Sequence, residues 1–126
     1  MFGKYNHYIK VAINESKKSD YKVKLGAVIF DKKKIISIGY NSLRNYRKLH
    51  PKYQAWKGSI HAEIDAILKS RKDLKGCTMI VIRINNSDEL RMAKPCKKCM
   101  KYIRDVGIKK IIYSISNYPY LECINL

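Results

Sequence analysis

Two short motifs constrain this 126-residue chain more than any other feature: each stands where a helix should begin, and a single buried strand separates them. His61-Ala62-Glu63 heads a segment in which Ile64, Ile67 and Leu68 recur at helical spacing. Pro95-Cys96-Lys97-Lys98-Cys99 precedes Met100 and Ile103, the inner face of a second helix, with Pro95 suited to its first turn and Gly107 to its stop. Between them, residues 79–84 form a short apolar run broken only by Arg83, which reads as a buried strand, and residues 111–115 read as the next strand. Such a strand-helix-strand connection makes the two strands parallel and lays the helix on one face of the sheet. Both motifs are therefore expected at the same end of the sheet.

The rest of the chain fits around this unit. Tyr5, Tyr8, Ile9, Ala12 and Ile13 fall on one face of a first helix, and residues 20–24 make a charged connection. Residues 25–30 and 35–40 are β-rich and joined closely enough for an antiparallel hairpin. Residues 41–59 are a long polar connection containing Pro51 and Gly58, and loops of that length in compact domains are often functional. Beyond residue 115 only 116–119 intervene before an apolar run at 120–124. That is too short for a crossover helix, so a fifth strand must run antiparallel to the fourth. No repeat or low-complexity segment divides the chain, so one α/β domain over residues 1–126 is expected.

The motifs carry metal chemistry. One imidazole, His61, and two thiolates, Cys96 and Cys99, suit one Zn²⁺ per chain and leave the fourth tetrahedral position open to water, as in catalytic sites. Cysteines at a helix start are also where the dipole favours the thiolate. Glu63, two residues beyond His61, lies about 200° further around the helix and is placed to move protons rather than to bind the metal face-on. A Cys-x-x-Cys pair alone fits redox chemistry or a structural zinc equally well, and it is the upstream His-Ala-Glu that favours catalysis. Cys77 and Cys123 read as small apolar residues in or near strands, and His7 and His50 as ordinary histidines.

His61 and Glu63 in HAE, with Pro95, Cys96 and Cys99 in PCKKC, resemble the H-x-E and P-C-x-x-C signature of the cytidine deaminase superfamily, and the resemblance runs over nearly the whole chain. It implies a three-layer α/β/α sandwich on a mixed five-stranded sheet, with His61, Cys96 and Cys99 as zinc ligands and Glu63 as general acid and base. The segment Gly39-Tyr40-Asn41 looks like the end of the second strand in nucleotide and tRNA deaminases, which would make Asn41 a substrate-contacting amide; an ordinary loop-starting Asn is the alternative. Ala62, within the motif, joins the substrate contacts. Trp56 and Tyr53 are candidates for stacking on a base, against plain local packing. Arg91 and Lys94, in a longer connection before Pro95 than many relatives have, are candidates for a substrate phosphate. The short turn at 116–119 resembles the C-terminal hairpin of free cytidine and blasticidin-type deaminases rather than the inserted helix of tRNA and single-stranded-DNA deaminases, yet those hairpin enzymes usually carry Cys where His61 stands.

Lys and Arg outnumber Asp and Glu by 27 to 10, a formal charge of +17. Such a surplus draws phosphate-bearing partners. The abundance of Lys, Ile, Asn and Tyr is also what an AT-rich genome produces without selection for binding. The leading expectation is cytosine-to-uracil deamination on a deoxynucleotide or a single-stranded DNA or RNA. The alternatives are adenine-to-inosine deamination on tRNA or other RNA, and an inactive zinc-containing nucleic-acid-binding module. No run reaches the length of a membrane span and residues 1–10 lack a signal-like apolar stretch, so a cytoplasmic protein without membrane partners is expected. The family resemblance adds the expectation of a homo-oligomer.

Overall fold

A computed structural model describes residues 3–42 and 61–126. Trp56, Tyr53 and His50 of the long connection fall outside the described residues. A 3₁₀ turn, Gly3–Tyr5, leads into helix α1 (Asn6–Ser16). Strands β1 (Lys24–Asp31) and β2 (Lys34–Tyr40) follow as the expected antiparallel hairpin. After helix α2 (Ala62–Ser70) come β3 (Thr78–Ile84), a two-residue strand β4 (Leu90–Arg91), helix α3 (Lys97–Asp105), β5 (Lys110–Ser114) and β6 (Leu121–Asn125).

The strand order is β2-β1-β3-β5-β6, with β4 paired to β3. β1 is antiparallel to both β2 and β3, and β3 is parallel to β5, so β2, β3 and β5 all run the same way. β6 returns antiparallel along β5, as the short turn at 116–119 requires. The expected five-strand path is present, and β4 is an addition to it. β4 arises because β3 outruns β5: the chain leaves β3 at Ile84, turns at Asn85 and comes back against Arg83 and Ile84. The Asn85 side chain builds that turn, its Oδ1 accepting from the Ser87 and Glu89 N–H groups at 3.0 and 2.9 Å. An Asn that bonds to backbone donors two and four residues on is a turn former, and its role is invisible to apolar periodicity.

Alternation along the strands sends two sets of side chains to opposite faces. Val28, Phe30, Ile80, Ile82 and Ile112 pack with Tyr8, Ile9 and Ala12 of α1. Ala27, Ile29, Met79, Val81 and Ile111 pack with Ala62, Ile64 and Ala66 of α2 and Cys99, Met100 and Ile103 of α3. The result is three layers, helix over sheet over two helices, as the family resemblance implied. Each helical layer sits against backbone at a glycine. A Cβ on Gly26 would strike the Ala12 carbonyl of α1, and one on Gly39 would strike the Ala66 N–H of α2. Among the described residues no helix is long and apolar enough to cross a membrane.

Candidate active site and metal centre

Helices that follow parallel strands begin at the strands' carboxyl ends, and crevices there are the usual ligand sites of open α/β sheets. Here α2 comes after β2 in the chain and α3 after β3, so both helix starts meet at one edge of the sheet. His61 is the N-cap of α2, with extended backbone (φ −77°, ψ 150°) and a carbonyl that accepts the Asp65 N–H at 3.0 Å. Its imidazole makes no cap hydrogen bond, and Nδ1 lies 3.3 Å from Cys99 Sγ. Cys96 is the N-cap of α3, and its sulfur accepts the Cys99 N–H at 3.4 Å. Pro95 therefore stands one residue before the cap and not in the first turn, a shift that puts Cys96 where its side chain faces the helix's unpaired N–H groups.

One donor atom from each of His61, Cys96 and Cys99 lies within 4.8 Å of the other two. Zn–S near 2.3 Å and Zn–N near 2.0 Å at tetrahedral angles separate ligand atoms by roughly 3.5 to 3.8 Å, so the cluster needs only a small contraction to close on one ion. No fourth His, Cys, Asp or Glu joins the group among the described residues. All four cysteines are free thiols. The donor set, its count and its spread all fit one zinc with an open position. Burial alone pushes the Cys99 thiol well above its ordinary range, with the neighbouring charges of Glu63 and Cys96 adding to it, and lowers the His61 imidazole. A neutral imidazole is the ligand form, and a bound divalent cation is what offsets the cost of a buried thiolate.

Glu63 is 3% exposed, and among the described residues its Oε1 has no hydrogen-bond partner. Burial raises its pKa, while hydrogen bonds with its own backbone and with the Cys99 thiol draw it partly back. An unpaired buried carboxylate oxygen costs free energy in the resting fold. Two residues along the same helix, Asp65 is also buried yet paired: its Oδ2 accepts the Tyr40 N–H at 3.1 Å and pairs with Lys69 at 2.7 Å. The orphaned oxygen belongs to the carboxylate beside the metal donors.

A cavity of about 270 Å³ opens at these residues, lined by Tyr21, Asn41, Ala62, Glu63 and Lys94 among others. His61 and Cys96 line it as well. Asn41 sits at the cavity wall with its amide already committed. Its Oδ1 accepts the Leu25 N–H at 2.9 Å and its Nδ2 donates to the Val23 carbonyl, tying the end of β2 to the start of β1. Ala62 and Lys94 both line the cavity, the first buried and the second exposed. Arg91 is absent from the lining; it pairs with Glu89 at 3.4 Å. Arg83, which had counted only as an interruption of a strand, does line the cavity, as does Tyr21 from the connection after α1. A lone cation near the carboxyl end of an otherwise apolar strand was the available signal for Arg83.

Comparison with known proteins agrees with this geometry. The family model described as the cytidine and deoxycytidylate deaminase zinc-binding region matches residues 3–115. The human deoxycytidylate deaminase is 31% identical over 128 residues, an alignment that covers 89% of this chain and 65% of the human protein. The chain thus spans 65% of the length of that curated relative. Two solved structures share the fold. A dCMP deaminase from the cyanophage S-TIM5 has a TM-score of 0.62 at 23% identity, covering 86% of this chain and 80% of its own. A cytidine deaminase from Burkholderia pseudomallei has a TM-score of 0.62 at 15% identity, covering 95% and 91%. With donor cluster, sheet order and family match in agreement over the same residues, the chain belongs to the cytidine and deoxycytidylate deaminase family.

Proposed function

We propose that this chain is a zinc-dependent hydrolytic deaminase that converts the cytosine of a deoxynucleotide to uracil and releases ammonia. The observation that carries the reading is Glu63: a buried carboxylate with one oxygen unpaired, in the same cavity as His61 and Cys96 and in contact with Cys99. Structural carboxylates are kept where their oxygens are satisfied; this one is kept where a substrate can satisfy it. The relatives' name, deoxycytidylate deaminase, supports cytosine on a deoxynucleotide over adenine on RNA.

The chemistry replaces an exocyclic amine by oxygen. Water attacks C4, the C4–N4 bond breaks, and protons must reach ring N3 and the departing nitrogen. His61, Cys96 and Cys99 would hold one zinc, which supplies a Lewis acid that makes hydroxide available near neutral pH. Glu63 takes the proton from the attacking water, delivers it to N3, and passes the second proton to the leaving amine. A raised pKa suits that duty, because a carboxyl that gives and takes protons near neutrality must not lie far below it. Ala62 presents its backbone N–H at the start of α2, where first-turn donors have no partner inside the helix, and so orients the base. Asn41 keeps one amide hydrogen and one lone pair for the sugar while its other two bonds hold the cavity wall. Lys94, exposed in the cavity lining, would meet a substrate phosphate.

The test is an assay of purified zinc-loaded protein against dCMP, deoxycytidine, single-stranded DNA and tRNA, measuring uracil, inosine and ammonia. Uracil and ammonia from dCMP are expected, in excess of any other product. Inosine from tRNA as the main product would overturn the cytosine assignment, and no ammonia from any of the four would overturn the deaminase reading.

A further inference from the structure

We propose that Arg83, with Lys94, forms a subsite for the terminal phosphate of a nucleoside monophosphate, so that the site selects nucleotide over nucleoside. The inference rests on the deaminase reading above, and it begins with the placement of Arg83. β3 is buried along almost its whole length, and Arg83 is its single charged residue. Arg83 is half-buried, the one position of β3 that is not fully covered, and the space it faces is the cavity. Among the described residues no carboxylate or carbonyl engages its guanidinium, and its one hydrogen bond is made by the backbone N–H.

The β3–β4 hairpin sharpens the point. Arg83 and Arg91 are direct partners across the antiparallel pair. Like charges opposite one another in a ladder destabilise it. Arg91 is relieved by Glu89 at 3.4 Å and by the Leu90 carbonyl at 3.1 Å. Arg83 has no such relief, and it lines the cavity together with a second cation, Lys94. Glu63 is the one carboxylate among the described lining residues. That carboxylate is bonded to its own backbone and to Cys99, and no other lining residue offers a carboxylate to Arg83 or Lys94, so among the described residues the two cations lack a paired counter-charge.

The placement is rigid. The fully buried Ser114 hydroxyl accepts the Arg83 N–H at 3.0 Å and donates to the Arg91 carbonyl at 2.6 Å. Its carbonyl accepts the Ala93 N–H at 2.9 Å. One serine at the end of β5 therefore pins both limbs of the hairpin, fixing the backbone from which Arg83 and, just beyond Ala93, Lys94 reach the cavity. A guanidinium offers a planar fork matched to phosphate oxygens, and an ammonium adds a point charge. Two cations suit the charge of about −2 on a terminal monoester better than the single charge of an internal phosphodiester. A cavity of about 270 Å³ is in scale with one nucleotide unit.

The experiment compares zinc-loaded wild type with Arg83→Gln, Arg83→Lys and Lys94→Gln. It reads kcat and KM for dCMP and deoxycytidine, and calorimetric binding of dCMP and of inorganic phosphate. Arg83→Gln is expected to lower the dCMP-to-deoxycytidine ratio of kcat/KM at least tenfold, mainly through KM, and to weaken dCMP binding by a similar factor. Arg83→Lys should recover part of that loss, and phosphate should compete with dCMP in wild type more than in Arg83→Gln. A ratio within twofold of wild type in a folded, zinc-bearing Arg83→Gln protein overturns the proposal. If that variant does not fold, Lys94→Gln and Arg83→Lys decide it by the same ratio. Equal binding of dCMP and a 5′-hydroxyl oligodeoxycytidine, with equal loss in Arg83→Gln, would assign the site to a phosphodiester and overturn the monoester. Should wild type release no ammonia from any cytosine substrate, the deaminase reading fails separately. Arg83-dependent binding of dCMP would then still uphold the subsite, and its absence would sink it.

Discussion

The two faces of the central sheet are built by the same device and put to different use. On the α1 face, Gly26 lets the helix backbone come within reach of β1, and Ile9, Ala12, Val28, Ile80 and Ile82 close an apolar layer around it. Tyr8 stacks on Phe30 there, with ring centroids 4.0 Å apart, and its hydroxyl donates to the Lys32 carbonyl. On the α2 face, Gly39 makes the same allowance, and Ala62, Ala66, Met79 and Val81 form the layer. Both layers bury polar groups: Glu15 and Ser16 of α1 are engaged by Lys18 and the Ile13 carbonyl of their own chain segment, whereas on the second face the buried acids and hydroxyls reach between elements. Ser37 donates to the Ala66 carbonyl at 2.7 Å, and Asp65 is paired twice, so α2 is fixed to β2 by polar contacts as well as by packing. Among the described residues only Glu63 is left with a buried, unpartnered side-chain oxygen. The face that holds the metal donors spends its polar contacts on orienting one helix, and leaves one group unsatisfied in the lining of the cavity.

The largest effect that can break this comparison comes from Glu63. Glu63→Gln should lower turnover by a factor on the order of 10³ or more, within the range of lost acid-base catalysis. The same change should make the zinc-free protein more stable at pH 7, by about 1–3 kcal/mol, because it removes the charge from a buried carboxylate that has one oxygen unpartnered. The sign with pH follows from the raised folded pKa. The native state holds this proton more tightly than the unfolded chain does. Wild-type zinc-free protein should therefore lose stability as pH rises from the ordinary Glu range through the raised value, and Glu63→Gln should flatten that slope. Thermal melts across that pH range check both statements. A variant less stable than wild type throughout would mean that Glu63 supports the fold like Asp65.

A smaller effect separates the faces themselves. Gly26→Ala and Gly39→Ala each force a Cβ into helix backbone and should each cost about 1–3 kcal/mol or more. Gly39→Ala displaces α2, which begins at His61, and should also lower zinc affinity and activity. Gly26→Ala displaces α1, which carries no ligand, and should lower thermal stability while zinc stays at one per chain. Metal titration beside thermal melts reads the difference. Equal loss of zinc in both would show that the two faces are not independent.

Much of this was legible in the sequence, for identifiable reasons. Helix and strand periods gave the element order, and the four residues 116–119 between the expected strand at 111–115 and the run at 120–124 forced an antiparallel β6. His61, Glu63, Cys96 and Cys99 could be grouped before any coordinates because a βαβ unit brings its helix starts to one edge. What escaped was set by contacts that no local pattern encodes. β4 depends on the Asn85 side chain and on Ser114, which lies some thirty residues further along and joins Arg83 to Arg91. Asn41 reads from the sequence as a substrate amide or a loop-starting Asn, and neither pattern shows that its side chain binds the Val23 and Leu25 backbone across the sheet end. Arg83 looked like noise in an apolar run because nothing local reveals that its strand ends at the cavity. Trp56 lies outside the described residues, and its stacking role stays where the sequence left it.

The account stands on one ion held by one nitrogen and two sulfurs with a fourth position open. Zinc K-edge absorption on the purified protein, with the metal content measured on the same sample, tests that directly. The expected result is one zinc per chain with one imidazole nitrogen, two sulfurs and one light non-protein oxygen, and loss of the metal in Cys99→Ala. A fourth protein ligand in the shell, or full zinc occupancy after Cys99→Ala, would contradict it.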